Sequence, residues 1–384
     1  MRIVHTCLRY PPSTGGVETY VQELVERTRN INEGRDVRVL TSKMRMHSPI
    51  EELNPELLLN DPPYVQRLHH LKTPLLSYPR LQALRYYLTH HKPDILHGYS
   101  FWYQPADVTA RYAREHAVPF IFHPMYYENK TRQKKTWQLY KKYIGRKTFE
   151  AADVVVVISP FEQKLIEAAC FPVKRFEVIP PGVDVDEFER PRINPFLKRK
   201  IRGTILLTVS RLSPGKGLED LIQVLPTVRR QIPDIQLVVV GEDFGLLEQL
   251  RVLARRIGVD SSIHFLGKLS REELIGAYQQ ATIFIHPSYY EAFGIVIAEA
   301  QAAGTPIIAR DTAAIPFVTA PMYQEMLFSS SEQLVRNIMD TLAKDTMGRE
   351  LDARKAKDFV AINFSWDTSV NKIISLYDDL RKSH

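Results

Sequence analysis

The chain has 384 residues, a formal charge of +7, 44% hydrophobic and 25% charged residues, the balance of a water-soluble protein too long for one ordinary core. Two cysteines, Cys7 and Cys170, exclude a disulfide framework and fit a reducing compartment, and no Cys/His cluster has metal-ligand spacing. The longest aliphatic run, residues 154–158, is far short of a membrane span, and the N-terminus lacks the apolar core of a signal peptide, so a cytoplasmic protein is expected, with peripheral attachment to the inner face of a membrane left open.

The charge is uneven. Residues 1–181 carry a balance of +8 and residues 182–384 a balance of −1, which asks for an explanation by partner rather than by fold.

In chain order, residues 1–8 read as a buried strand, residues 11–16 (PPSTGG) as a loop, and residues 17–28 as a helix with Val17, Tyr20, Val21, Leu24 and Val25 on one face. Strand, glycine loop and helix open a Rossmann-like unit. Residues 37–41 predict a second strand, and residues 44–80, rich in Pro, His and Leu, are poorly determined. Short strands at 94–97 and 119–123 flank a helix at 106–116. His123 stands at the carboxyl end of its strand, the edge where ligands of parallel sheets sit. Residues 152–159 form the clearest strand of this half, and Ser159 is the N-cap of the next helix. The alternation predicts a doubly wound parallel sheet.

The pattern breaks at Pro180-Pro181-Gly182, the best domain boundary. A second alternation follows, with strands at 205–210, 236–240, 262–266 and 282–285 and helices at 217–231, 245–257 and 270–281. Residues 365–384 form an amphipathic helix bearing Trp366, Val370, Ile373, Ile374, Tyr377 and Leu380. The expected domains are 1–181 with 365–384, and 182–364: two Rossmann-like halves with a cleft between them.

Two stretches of the second half carry candidate chemistry. Residues 210–217 (SRLSPGKG) lie between a strand and a helix, and their cations Arg211 and Lys216 suit a diphosphate. Residues 286–306 (HPSYYEAFGIVIAEAQAAGTP) hold Glu291 in a loop and Glu299 in a helix, with seven residues between them. The helix start after Gly294 offers unpaired N–H groups to an anion, and a carboxylate further on can accept from sugar or ribose hydroxyls.

Together these pieces resemble the family-4 retaining glycosyltransferases of GT-B fold (glycosyl transferases group 1). The matching segments are PPSTGGVETYVQEL, the strand-end His123, VISPFEQKLI, VIPPGVDVDEF, VSRLSPGKGLEDLI, LVVVG, IHFLGKLSREEL, IFIHPSYYEAFGIVIAEAQAAGTPIIA and FSWDTSVNKIISLY, covering nearly everything but residues 44–92. The resemblance implies transfer of a sugar from a UDP-, GDP- or ADP-sugar, with retention, no cofactor and no metal. It casts Arg211, Lys216, Glu291 and His123 as catalytic: the two cations on the donor diphosphate, Glu291 and His123 at the sugar. It also casts Glu299 as the ribose ligand, Phe293, Gly294 and Ile295 as backbone contacts to phosphate and sugar, Gly15 and Gly16 as a loop over the diphosphate, and Gly267 and Lys268 as neighbours of the base. The C-terminal helix would return to the N-terminal domain.

Two departures stand out. Thr312 to Phe317 lacks the Gly-Gly-x-x-Glu turn common in the family, and Gly241-Glu242-Asp243 replaces a Gly-x-Gly, which leaves the acceptor and the donor-pocket wall undetermined. Other readings are a glycogen-synthase-like or sugar-phosphate synthase, and a non-catalytic nucleotide-sugar-binding subunit, against which the joint presence of the five polar residues argues. A Rossmann dehydrogenase is the weakest reading, because no G-x-G-x-x-G follows the first strand.

Residues 128–147 carry eight Lys and Arg against one acid, interleaved with Trp137, Tyr140 and Tyr143. One reading is a solvated helix face above a packed stripe of Trp137, Tyr140 and Ile144. The other is contact with an anionic bilayer, which would bring His123 near a lipid-borne acceptor. No nucleic-acid module is present.

Overall fold

The computed structural model describes all residues except 14, 32–33, 48–49, 72–77, 129–133 and 384. The chain divides into two units, Met1–Pro180 with Ser369–His384, and Pro181–Thr368.

The first unit is built on seven parallel strands: β1 (Arg2–Thr6), β2 (Asp36–Ser42), β3 (Val65–Leu68), β4 (Ile95–Tyr99), β5 (Phe120–His123), β6 (Val154–Val157) and β7 (Phe176–Val178). Their order is β7-β6-β5-β4-β1-β2-β3. The inner strands are covered on both faces and buried through most of their length, wholly apolar in β6, whose four valines are buried, and with buried histidines in β1, β4 and β5. The edge strands break that rule. In β3, Val-Gln-Arg-Leu carries two long polar residues, and the buried Arg67 holds Asp61 at 2.6 Å while donating to the Ser42 carbonyl. The strand order reverses between β1 and β4, where a doubly wound sheet opens its ligand crevice.

The second unit repeats the design in β8 (Ile205–Val209), β9 (Gln236–Val240), β10 (Ile263–Gly267), β11 (Ile283–His286), β12 (Ile307–Arg310) and β13 (Leu327–Phe328), ordered β10-β9-β8-β11-β12-β13. Its switch point lies between β8 and β11, which pair in parallel with Leu206 opposite Ile283. The two stretches with candidate chemistry leave the sheet from the carboxyl ends of these two strands.

The basic stretch corrects one expectation. Residues 134–151 are helical, but a π-turn at Lys141–Gly145 interrupts two α segments. A π-turn inserts a residue into the helical repeat, so the buried stripe steps from Trp137 and Tyr140 to Gly145 and leaves Ile144 exposed with Leu139 and Tyr143. Gly145 is required there because a Cβ would fall 2.5 Å from the Phe101 ring. Lys130 and Arg132 lie outside the described residues. Among the described residues, no helix is long and apolar enough to cross a membrane.

Candidate active site

In the second unit the loop after β8 and the loop after β11 brace each other. Gly217 has φ 68°, and a Cβ there would lie 2.2 Å from the Pro287 carbonyl oxygen, so only glycine lets the backbones approach so closely. The Tyr289 N–H donates to the Gly215 carbonyl at 3.0 Å. Beneath, Arg310 donates to the Pro287 carbonyl at 2.8 Å and pairs with Asp220, which also accepts from the Tyr289 hydroxyl at 2.7 Å.

This brace brings Lys216 Nζ to 2.7 Å from Glu291 Oε1, and the same oxygen lies 3.1 Å from His286 Nε2. Burial pushes the Glu291 carboxyl up, but His286 and the Lys216 ammonium outweigh it and hold the group down at about 2. Glu291 is therefore an anion at neutral pH. Arg211 is not drawn into this cluster: exposed on its loop, its guanidinium leans on the Phe244 ring, 5.3 Å from the centroid.

Glu299 is almost fully buried and already partnered. Its Oε1 accepts from Arg271, which also holds Glu187 at 2.8 Å, and its Oε2 accepts from the Tyr278 hydroxyl at 3.0 Å. Phe293 is buried, with Phe317 and Phe364 at centroid distances of 6.4 and 5.3 Å. Gly294 follows in the left-handed region (φ 96°) as the N-cap, and Ile295 starts the eight-residue helix Ile295–Ala302 with no side-chain cap. Gly267 ends β10, accepting from Gly241 N–H at 2.9 Å, and Lys268 beside it is exposed.

The other three candidates stand in the first unit. Gly15 and Gly16 open the helix Gly16–Asn30, but the Glu18 carboxylate, paired with Arg9 at 2.6 Å, occupies the space a Gly15 Cβ would take. The Glu18 carboxyl, pushed up by burial, thus lies beside that helix start. His123 is completely buried, and both ring nitrogens are engaged: Nε2 with Tyr20 Oη at 3.0 Å and Nδ1 with His97 Nε2 at 2.6 Å. Burial, with His5 nearby, lowers its pKa to about 3, so the ring is neutral.

Sequence reasoning missed His286, Arg271, Tyr278 and the Asp220–Arg310 brace. His286 ends a strand as His123 does, and that shared position was a usable signal. Arg271 lies 28 residues from Glu299, and nothing in the spacing joins them.

Two doubly wound parallel sheets, the second with a Lys–Glu–His cluster at its switch point, define the GT-B class of glycosyltransferase fold. Residues 14–187 match the family model for glycosyltransferase family 4 and residues 189–358 that for glycosyl transferases group 1. The chain belongs to these glycosyltransferases. A D-inositol 3-phosphate glycosyltransferase of Corynebacterium jeikeium is 31% identical over 248 residues, 60% of this chain and 58% of that protein. A GDP-mannose-dependent alpha-(1-6)-phosphatidylinositol monomannoside mannosyltransferase of Mycobacterium tuberculosis is 29% identical over 242 residues, 59% of this chain and 62% of that protein. The matches thus span about three fifths of these relatives' length. Among solved structures, sucrose-phosphate synthase from Thermosynechococcus elongatus superposes with TM-score 0.75 at 22% identity, covering 100% of both chains. Anabaena HepE in complex with UDP and glucose does so with TM-score 0.76 at 18% identity, covering 99% of this chain and 100% of that one. At these identities the likeness is one of fold.

Proposed function

We propose that the protein moves a sugar from a nucleotide-sugar donor to an acceptor hydroxyl, with retention at the anomeric carbon and without a metal ion. The observation that carries the reading is the Lys216–Glu291 pair at the switch point of the second sheet. Lys216 has three N–H donors, and Glu291 takes one, so the ammonium is held in place with donors left for phosphate oxygens. Together with Arg211 and the helix start at Gly294, it stabilises the diphosphate charge that grows as the glycosidic bond breaks.

Glu291, ionised, accepts from a sugar hydroxyl and does not act as an acid. Glu299 retains acceptor capacity beside Arg271 and Tyr278, since a carboxylate offers about four lone-pair sites, and takes the ribose hydroxyls. The base lies by Gly267 and Lys268. In the first unit His123 meets the sugar, and Gly15 with Gly16 meets the diphosphate.

The acceptor we favour is a polyol phosphate of the inositol kind, free or as a lipid headgroup, because the relatives' names specify inositol 3-phosphate and phosphatidylinositol mannoside acceptors. A lipid headgroup also suits the exposed basic and apolar face of residues 135–147.

The test is a panel of UDP-, GDP- and ADP-sugars, read by thermal stabilisation and slow donor hydrolysis, with and without EDTA. Inositol 3-phosphate and phosphatidylinositol then serve as acceptors, and NMR of the product's anomeric proton reports the stereochemistry. Stabilisation by one donor, turnover unaffected by EDTA and a retained anomer support the reading. No donor binding, or turnover abolished by EDTA and restored by magnesium, overturns it.

A further inference from the structure

Among the described residues, five hydrogen bonds join six buried side chains of the first unit into one chain. Tyr20 Oη meets His123 Nε2 (3.0 Å), His123 Nδ1 meets His97 Nε2 (2.6 Å), and His97 Nδ1 meets Tyr377 Oη (2.8 Å). Tyr377 Oη then meets His5 Nε2 (3.4 Å), and His5 Nδ1 meets Tyr99 Oη (2.8 Å). Tyr377 comes from the C-terminal helix Trp366–Ser383; the histidines and Tyr99 come from the adjacent strands β1, β4 and β5.

Proton counting limits what this chain can do. Burial keeps the three imidazoles neutral, lowering His5 and His123 to about 3 and His97 well below its ordinary value. A neutral imidazole has one donor and one acceptor nitrogen, and a tyrosine has one O–H. A donor direction set at one link therefore passes unchanged through every ring. Tyr377 has one proton for two links, and among the described residues its hydroxyl has no other partner. Two arrangements use that proton, one running from Tyr20 to Tyr99 and the other in reverse.

They differ in which end keeps a spare proton. In the first it belongs to Tyr99, which is fully buried and whose hydroxyl has only His5 as a partner among the described residues. In the reverse it belongs to Tyr20, whose hydroxyl is pushed up first by burial and then by the Glu162 carboxyl, itself raised to about 7 by burial. The reverse direction also sends the Tyr377 proton across the shorter of its two contacts, to His97.

We propose that this chain fixes His123 as its Nε2–H tautomer, so that its Nε2 edge presents a hydrogen-bond donor and not a base, with His97 and Tyr377 as the positioning residues. The functional consequence rests on the reading above that His123 meets the donor sugar. A sugar oxygen taking the place of the Tyr20 oxygen finds the N–H already aimed, and no proton is withdrawn from the substrate at this point. The C-terminal helix thereby reaches the sugar site through Tyr377 without touching it.

The test is long-range ¹H–¹⁵N correlation on protein labelled with ¹⁵N-histidine, which separates the two tautomers. The His123 signal is assigned by its loss in His123→Gln and, independently, by its ring contacts with Tyr20 and Tyr99. The expected wild-type pattern is protonated Nε2 and bare Nδ1. In Tyr377→Phe the signal should become a mixture of both tautomers, with His97, coupled to it through their shared link, mixing alongside, while histidines outside the chain keep their patterns. Donor hydrolysis should fall in kcat in proportion to the Nε2–H form lost, about twofold for an even mixture, with KM little changed. A wild-type Nδ1–H pattern overturns the proposal without any variant, and so does an unaltered Nε2–H pattern in Tyr377→Phe. Addition of UDP-glucose and GDP-mannose separates the two levels: an Nε2 signal that moves with neither withdraws the sugar contact, while the tautomer result stands on its own.

Discussion

Glu291 concentrates the residue-scale question, because one carboxylate oxygen serves two neighbours, Lys216 and His286. If Lys216 grips the diphosphate, Lys216→Ala should weaken nucleoside-diphosphate binding by about 1.5–3 kcal/mol, the worth of a charged hydrogen bond. Calorimetric titration of the nucleotide checks this, and unchanged affinity would remove Lys216 from the donor site. Glu291 also makes a prediction about pH. Its pKa is depressed from an ordinary 4.5 to about 2, so its contribution to stability is fully present above 4.5 and is lost as pH falls toward 2. The urea midpoint of wild type minus that of Glu291→Gln should stay constant above about pH 5 and shrink through that acid window. A gap that persists at pH 2 would mean that the carboxylate's charge is not what Lys216 and His286 hold. Glu299 should behave differently: Glu299→Gln should weaken free nucleotide, whereas Glu291→Gln should mainly slow sugar transfer. The opposite pattern would exchange the two roles.

Among the elements, the two loops at the β8/β11 switch point depend on backbone contact rather than side-chain chemistry. Gly215 and Gly217 both sit at positive φ, 86° and 68°, but only at Gly217 would a Cβ strike a carbonyl oxygen. Gly215→Ala should therefore cost only the left-handed strain, about 1–2 kcal/mol. Gly217→Ala should cost more, about 3 kcal/mol or above, and weaken nucleotide binding by parting the loops. Denaturation midpoints of both variants decide it, and equal losses would mean that the close approach to Pro287 carries no weight. The π-turn at Lys141–Gly145 shows the same dependence on contact in reverse. Helical spacing alone aligned Ile144 with Trp137 and Tyr140, but Gly145 meets Phe101, and the one-residue insertion turns Ile144 outward.

For the whole molecule, the basic excess is the feature still to be explained by a partner. Lys135, Lys142 and Lys147 are exposed on the same helical segment as Leu139, Tyr143 and Ile144. Each basic residue at an anionic bilayer contributes about 1 kcal/mol, and the apolar side chains add interfacial burial. Co-sedimentation should show binding to vesicles only when they hold anionic lipid, weakening with salt and falling when Lys135, Lys141, Lys142 and Lys147 become Gln. Equal amounts of wild type and variant in the supernatant at low salt would leave the stretch as a charged helix face and favour the free acceptor over the lipid headgroup.

The α/β class and the central strands were legible in the sequence because local patterns determine them. A strand covered on both faces is mostly apolar, as β6 is throughout and β11 is up to its terminal His286, and glycine and proline punctuate the loops between. The loops with Arg211, Lys216 and Glu291 were legible for the same reason, since each is a short segment with its own chemistry. The edge strands β3, β7 and β13 were not, because a half-covered edge tolerates polar residues and loses the pattern. Tertiary structure alone decided the pairings. Lys216 and Glu291 are 75 residues apart, Glu299 and Arg271 28, and His97 and Tyr377 280. Periodicity reaches one or two turns along the chain; these contacts depend on where the sheet brings its strand ends and on how burial removes water as a competing partner, which no local pattern encodes.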